Sequence, residues 1–271
     1  MNRKFSLLVA AALALSCSVS FGATWQVPGD FPTIQAAIDS NSVNDGDRIQ
    51  VWPGVYAGAI VSKSVEINGE GGAIISSGPT HALGLSQGFR IVAGGDGAVI
   101  RQLTITADLG VMNGEAVDNV TVTQCAFENT VQAISNWRGG GWEISQNTIT
   151  DLRTVCGGGI GILLSGSDID FEGGVVVENI ILGNRISGTL HVSPGDCGGY
   201  SGAGLVHFAE FRLDGSETGG IELNRFVDNY VNLTSDTPDF VDVVALELAE
   251  AEATISVSRV SWAFTPDGME E

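Results

Sequence analysis

One part of the chain repeats itself without gaps every 22 residues, and this repetition limits the fold more than any other feature. The segments QLTITAD, QCAFENT and QNTITDL begin at Gln102, Gln124 and Gln146. Two weaker copies, GNRISGT from Gly183 and LNRFVDN from Leu223, follow at spacings of 37 and 40 residues. Short repeats of this kind are typical of a solenoid, in which each coil contacts only its neighbours. We therefore expect a β-solenoid whose coils each add a layer of about 4.8 Å.

Alternate positions within each copy should face the same way, because strand side chains alternate with period two. The fourth position is always large and apolar: Ile105, Phe127, Ile149, Ile186 and Phe226. The second position changes from apolar to amide side chains: Leu103, Cys125, Asn147, Asn184 and Asn224. Inward asparagines are satisfied when each amide bonds to the next, which predicts a buried ladder. A β-sandwich is the alternative, but it does not require one pattern to return every 22 residues.

The composition agrees with a fold of many turns around a stacked interior, and it excludes two classes of protein. Gly contributes 37 of the 271 residues, and only 16% of the residues are charged. The 12 Lys and Arg residues stand against 32 Asp and Glu, a net charge of −20. This charge argues against nucleic-acid binding, which requires a basic surface. The hydrophobic content of 44% is too high for a disordered chain.

The first residues have the order of a secretory signal peptide. Arg3 and Lys4 precede an apolar run from Phe5 to Leu15, and small residues continue to Ala23. The run is too short for a membrane helix, which needs about 20 apolar residues, and no second apolar segment follows. We therefore expect a secreted or periplasmic protein with no membrane span. Loss of the two basic residues with the signal leaves 10 basic against 32 acidic groups, a net charge of −22.

Three segments are predicted along the chain. Residues 1–23 are expected to be the signal peptide, residues 24–264 a parallel β-helix domain, and residues 265–271 an acidic tail. A lipoprotein attached through Cys17 is the alternative to ordinary signal cleavage, although the residues before this cysteine match a lipobox poorly.

Export also changes what the remaining cysteines imply, because disulfides persist in oxidising compartments. Cys156 and Cys197 lie in similar glycine-rich contexts, TVCGGG and GDCGGY. We expect these two to be able to pair between neighbouring loops. Cys125 lies in an alternating strand pattern and is expected to be a buried thiol.

Residues 29–72 carry three blocks in a fixed order: FPTIQAAID, DGDRIQVWPGVY and KSVEINGEGG. They resemble the opening of secreted right-handed parallel β-helix repeat proteins of the pectin-lyase-like superfamily, which includes pectinesterases and NosD-type proteins. The resemblance implies an all-β fold, a right-handed parallel β-helix with a short N-terminal capping helix. Thr33 can cap this helix, and Ile34 and Ile38 lie on one face of it. Such a helix would close the open end of the solenoid and protect a strand edge.

The catalytic motifs of that superfamily are missing. The chain lacks the Gln-Asp pair and the Gly-Arg-Pro-Trp block of pectinesterases, and the Asn-Thr-Asp and Gly-His-Gly blocks of polygalacturonase-like enzymes. No catalytic residue can therefore be carried over, and whether the protein is an enzyme stays open. The expected function is a non-catalytic module that binds an extracellular polysaccharide or a cell-surface glycan. The alternative is a polysaccharide lyase, hydrolase or epimerase. The acidic net charge opposes binding of anionic polysaccharides such as pectate.

The segment NWRGGGWEI is the first candidate site, for carbohydrate. Trp137 and Trp142 flank Arg138 and three glycines. Exposed aromatic rings stack on sugars, and an arginine binds a hydroxyl or a carboxylate. The alternative, which the residue types favour, is that the tryptophans fold back on the solenoid.

The segment SDIDFEGG is the second candidate site, for calcium. Strand alternation places Asp168, Asp170 and Glu172 on one face. Carboxylate oxygens are the ligands that calcium prefers. A solvated outer strand face explains the same residues and is favoured over a calcium site.

Two histidines complete the candidates. His191 and His207 lie in or near the enlarged loops of the fourth and fifth copies. Either could act as a general base or a metal ligand. With no recognisable partner nearby in the sequence, ordinary surface or hydrogen-bonded histidines are the favoured interpretation.

Overall fold

The computed structural model describes residues 22–155, 158–166, 176–192, 202–209, 221–237, 243–249, 254–258 and 261–262. Within these ranges the regular secondary structure is β-strand apart from one short helix, α1 (Ile34–Asp39). The strands in chain order are β1 (Thr24–Val27), β2 (Arg48–Val51), β3 (Gly54–Ala57), β4 (Ala59–Val61), β5 (Glu66–Gly69), β6 (Ala73–Ser77), β7 (Gln87–Ile91), β8 (Val99–Arg101), β9 (Thr104–Ile105), β10 (Leu109–Asn113), β11 (Thr121–Thr123), β12 (Ala126–Thr130), β13 (Gln132–Asn136), β14 (Glu143–Ser145), β15 (Thr148–Arg153), β16 (Ile160–Gly166), β17 (Val176–Val177), β18 (Ile180–Leu182), β19 (Arg185–His191), β20 (Gly202–Ala209), β21 (Ile221–Val227), β22 (Tyr230–Ser235), β23 (Val243–Ala249), β24 (Thr254–Ser258) and β25 (Ser261–Trp262).

The strands form three parallel sheets that the chain visits in turn. Sheet A has the order β1-β2-β5-β8-β11-β14-β18-β21-β17, with β24 also paired to β21. Sheet B has the order β25-β22-β19-β15-β12-β9-β6-β3, and sheet C the order β23-β20-β16-β13-β10-β7-β4. Each coil therefore passes through A, B and C before it pairs with the next coil. This is the predicted parallel β-helix, and its right-handed sense is the one that parallel crossovers adopt.

Helix α1 closes the N-terminal end, as the sequence predicts. The Thr33 hydroxyl accepts a hydrogen bond from the Ala36 N–H at 3.1 Å, so it is the N-cap. Ile34 and Ile38 are fully buried. Gln35 pairs with the edge strand of sheet C: its Oε1 accepts from the Ile60 N–H at 2.8 Å, and its Nε2 donates to the Ile60 carbonyl at 3.4 Å. This side-chain amide takes the place of a missing strand at an exposed edge.

The predicted asparagine ladder exists at the corner between sheets A and B, with one correction. Asn147 donates from Nδ2 to Oδ1 of Asn184 at 3.0 Å, and Asn184 donates to Oδ1 of Asn229 at 2.9 Å. Cys125 continues the ladder through its backbone N–H, which donates to Asn147 at 3.0 Å. The last member is therefore Asn229, 45 residues after Asn184, and the assignment of Asn224 to this ladder is wrong.

Asn224 belongs to a second ladder, at the corner between sheets C and A, which the sequence analysis missed. Its members are buried and bond amide to amide in the order Asn113, Asn136, Asn179 and Asn224. The segment LNRFVDN contains one asparagine of each ladder, five residues apart. The alignment selected the wrong one because both follow a residue in the left-handed conformation, Leu223 and Asp228, with φ of 58° and 53°.

The inner face of sheet B carries the apolar stack as predicted for four of the five copies. Ile105, Phe127, Ile149 and Ile186 are in register on adjacent strands and fully buried. The next layer is Val231. Phe226, predicted as the fifth member, instead pairs with Ile181 in sheet A. It is predicted for the stack because it lies two residues after Asn224, the asparagine assigned to the wrong ladder.

Glycines on sheet C let this stack approach the opposite strands. A Cβ on Gly110 would lie 2.6 Å from the Phe127 ring, and a Cβ on Gly161 would lie 2.9 Å from Cδ1 of Ile186. The nearest atoms are closer still and belong to the backbone of the next coil: the Ala133 oxygen would lie 2.3 Å from a Cβ on Gly110, and the Gly204 oxygen 2.5 Å from one on Gly161. Real Cβ atoms essentially never come that close, so these positions must be glycine. Part of the high glycine content is thus explained by packing rather than by turns.

Candidate functional site

The tryptophan segment does not form an exposed platform. Trp142 is fully buried in the core, where its indole N–H donates to the Val117 carbonyl at 2.8 Å. It cannot stack on a bound sugar, so its prediction as a binding residue is wrong. Arg138 is only 8% exposed. Trp137 is half-buried and packs on the outer side of sheet C against side chains that include Met112 and Leu163.

Other predicted sites lie outside the described residues. Asp168, Asp170 and Glu172 fall there, as do Cys156 and Cys197. Calcium binding and the disulfide therefore stay predictions. In the parts of the chain that the structure covers, no cluster of three or more His, Cys, Asp or Glu side chains could hold a metal ion.

Cys125, by contrast, is the buried thiol that the sequence predicts. It is 2% exposed and free. Burial raises the pKa of its thiol to about 12, so the reactive thiolate is suppressed in the folded protein.

The structure brings together a line of ionisable side chains that the sequence separates. Asp108 precedes β10, Arg153 ends β15, His191 ends β19 and Asp236 follows β22. All four lie at the corner between sheets B and C, and we call them the corner strip; Arg153, His191 and Asp236 lie on three successive coils, and one coil, that of β12, separates Arg153 from Asp108. Arg153 and His191 are register partners on adjacent strands, which places their backbones about 4.8 Å apart.

Asp108 is held firmly at one end of the corner strip. Its carboxylate accepts from the Ser86 N–H at 2.7 Å and the Ser86 hydroxyl at 2.9 Å, and it forms an ion pair with Arg153. Burial alone would raise the pKa of Asp108, but the Ser86 hydrogen bonds and the Arg153 charge outweigh it and lower that pKa. Arg153 also donates from Nε to the Asn129 carbonyl at 3.0 Å. The guanidinium is therefore fixed in direction although a quarter of it is exposed.

His191 and Asp236 form the other end. Nδ1 of His191 lies 3.1 Å from Oδ2 of Asp236, and the second oxygen of Asp236 accepts from the Val192 N–H at 3.2 Å. That backbone hydrogen bond, together with His191, outweighs the small opposing effect of burial and lowers the pKa of Asp236. An ionised carboxylate next to Nδ1 places the proton of the neutral imidazole on that nitrogen, so Nε2 is left as an acceptor. The imidazole is 51% exposed, which makes Nε2 accessible from solvent.

His207, the second candidate histidine, is not part of this strip. It is 1% exposed in the interior, where its Nε2 lies 3.1 Å from Nδ2 of Asn224. Burial lowers the pKa of His207 to about 4, so the ring is neutral and accepts from the asparagine at the end of the second ladder. Its role is structural, as the sequence analysis favoured.

The outer face of sheet B borders the corner strip and carries small and polar side chains. One row across adjacent strands contains Thr104, Ala126, Thr148, Arg185 and Tyr230. The Arg185 guanidinium lies 4.4 Å from the centre of the Tyr230 ring. This part of the face presents hydroxyls and one stacked cation, whereas the same row continues toward the N-terminal coils with Ile74 and with Val55, which is 68% exposed.

Comparison with known proteins gives structural similarity only. No protein-family model and no curated protein sequence matches the chain. An alginate lyase from Paenibacillus sp. FPU-7 superposes with a TM-score of 0.41 at 14% identity, covering 88% of this chain and 99% of the lyase. A pectin methylesterase mutant in complex with a hexasaccharide gives 0.36 at 14% identity, covering 80% of this chain and 81% of the esterase. Among the described residues, no helix is long and apolar enough to cross a membrane.

Proposed function

We propose that the protein is a secreted, non-catalytic module that binds an extracellular polysaccharide or cell-surface glycan at the corner strip. The parallel β-helix supplies a long surface on which a linear chain can lie across successive coils. The similarity of residues 29–72 to the pectin-lyase-like superfamily supports an extracellular polysaccharide as ligand. The predicted signal peptide supports export.

The observation that carries this proposal is the arrangement of two hydrogen-bonded pairs along one corner, over a span of five coils. Asp108 with Arg153 and His191 with Asp236 present donors and acceptors in fixed directions. Sugar hydroxyls need both kinds of partner. Because these side chains are already ordered by one another, binding would cost little additional conformational entropy.

Binding to a panel of soluble polysaccharides, measured by the retardation of the protein in gels that contain them, tests the proposal. Arg153→Ala is expected to weaken binding at least tenfold. Arg48→Ala is the control, because Arg48 is also an arginine paired with a carboxylate, Glu66, but lies on sheet A and is more exposed than Arg153. Equal binding by the two variants, or no retardation by any polysaccharide, would contradict the proposal.

A second function, a polysaccharide lyase, hydrolase or epimerase, is favoured by the His191–Asp236 hydrogen bond. A carboxylate that fixes Nδ1–H directs Nε2 outward as a general base. Release of reducing or unsaturated sugars from the same panel would reveal such an activity. Its loss in Asp236→Asn, with folding retained, would replace the non-catalytic proposal by the enzymatic one.

A further inference from the structure

The turns between sheets A and B have a constant length with one exception. In the described coils they contain two residues, as in 102–103, 124–125 and 146–147, but the turn between β5 and β6 contains three, residues 70–72. Beside this longer turn lies a shallow, solvent-open cavity of about 350 Å³, in which Glu70, Gln102 and Gln124 are exposed. Its lining includes Glu70, Gln102, Thr104 and Gln124. The volume falls at the lower end of the range for small-ligand sites, about 300–1,000 Å³.

The glutamines of this cavity occupy a backbone position that suits glycine better. Gln102, Gln124 and Gln146 have φ of 57°, 55° and 55°, and the next coil has Gly183 there with φ of 64°. Their side chains bond in a line: Gln102 donates to Gln124 at 3.3 Å, and Gln124 donates to Gln146 at 3.2 Å. The left-handed conformation belongs to the turn itself, because the next two coils have Gly183 and Asp228 at this position with φ of 64° and 53°. Gln102 and Gln124 present their amides to the cavity, whereas Gln146 lies outside its lining.

The chemistry of the lining selects an uncharged ligand rich in hydroxyls. The two amides both donate and accept, the Thr104 hydroxyl does the same, and the Glu70 carboxylate accepts from two neighbouring hydroxyls. No Lys or Arg belongs to the lining, so an anionic sugar would meet Glu70 without a compensating cation. The net charge of −20 opposes an anionic ligand in addition.

We infer that this cavity binds a residue of a neutral glycan. The inference rests on the proposed function, in that the protein is taken to bind glycans, but the cavity is distinct from the corner strip and lies at the opposite edge of sheet B. Thr104 belongs to both the cavity and the hydroxyl-rich row of sheet B. A chain seated in the cavity can therefore continue across that face.

Isothermal titration with neutral hexasaccharides of glucose, xylose, mannose and N-acetylglucosamine, and with hexagalacturonate as the anionic counterpart, tests the inference. Gln124→Gly removes the central amide and relieves the left-handed backbone, so the fold should be retained. Glu70→Gln removes the charge and keeps the shape. Each is expected to weaken binding of a neutral hexasaccharide at least tenfold. Gln146→Gly is the matched control, because Gln146 shares the conformation and the ladder but not the cavity. It should bind within about twofold of the unmodified protein.

The outcomes separate this inference from the proposed function. If binding of a neutral hexasaccharide is lost in Gln124→Gly and Glu70→Gln but kept in Gln146→Gly, the glycan site at the cavity is supported. Binding that responds only to Arg153→Ala overturns the cavity and keeps the corner strip. Binding of hexagalacturonate without any neutral hexasaccharide also overturns it while glycan binding stands. Binding of none of these sugars or polysaccharides overturns both.

Discussion

Replacement of Asn184 by alanine tests the buried ladder that holds the coils in register. The Asn184 side chain accepts from the backbone N–H and from Nδ2 of Asn147, both at 3.0 Å. It donates to the Ile144 carbonyl at 2.8 Å and to Oδ1 of Asn229 at 2.9 Å. At 1% exposure, water cannot replace these partners without a rearrangement. Asn184→Ala therefore leaves two donors of Asn147 unpaired in the interior.

The loss of stability follows from that count. An unpaired buried donor costs about 1–3 kcal/mol, so two should lower the free energy of unfolding by about 4 kcal/mol. This is a large part of the 5–15 kcal/mol that is typical of folded proteins. With a guanidinium m-value of about 4 kcal/mol/M, the unfolding midpoint should fall by about 1 M.

Guanidinium unfolding followed by circular dichroism measures this shift. Asn232→Ala is the control, because Asn232 is an asparagine on β22 in the neighbouring coil, half-exposed and outside both ladders. The free energy of unfolding of this variant should change by no more than about 0.5 kcal/mol. If Asn184→Ala unfolds at the same concentration as Asn232→Ala, the ladder does not stabilise the coils and the reasoning fails.

Two further predictions follow from buried titratable groups. His207, with its pKa lowered to about 4, stays neutral in the folded protein while the unfolded chain binds a proton below about pH 6.5. The free energy of unfolding should therefore fall by up to about 3 kcal/mol as the pH drops from 6.5 to 4. In His207→Gln the free energy of unfolding should fall less between pH 6.5 and 5. Equal dependence on pH in the two proteins would contradict this prediction. Cys125 should not react with a thiol reagent at pH 8 in the folded protein but should react fully in guanidinium, as followed by mass spectrometry of its peptide. Rapid labelling of the native protein would show that this thiol is accessible.

Strand periodicity and the 22-residue repeat are enough to predict the coil, its inner face and the first asparagine ladder. These features depend on side-chain alternation and on contacts between neighbouring copies of similar length. The prediction fails at Asn224 and Phe226 because the true coil spacing there is 45 residues, and loops of unequal length hide it. The N-terminal helix is predictable because its cap and its apolar face are local.

The corner strip could not be found in the sequence, for a related reason. Asp236 reaches His191 from 45 residues away, and Arg153 reaches Asp108 over the same separation. No local pattern links such residues, since only the stacking of coils brings them together. At Trp142 the error is a predicted binding residue that the structure buries. An aromatic residue among glycines resembles an exposed loop in the sequence, whereas the indole N–H has a buried acceptor in the structure.

The two long edges of sheet B differ in how constant their connections are, and the two proposed binding sites follow this difference. At the edge toward sheet A, a two-residue turn is fixed by a left-handed residue and, in the later coils, by a ladder side chain, so an inserted residue would displace an amide from its partners. At the edge toward sheet C, the connections vary from one residue at Val131 to ten at residues 192–201. Variable loops can add side chains there without disturbing the stack, and the corner strip lies among them. At the edge toward sheet A, the single three-residue turn of the described coils, residues 70–72, lies in a coil that precedes the ladder asparagines. No ladder asparagine lies in this turn, so the extra residue, which the shallow cavity adjoins, displaces no amide from its partners.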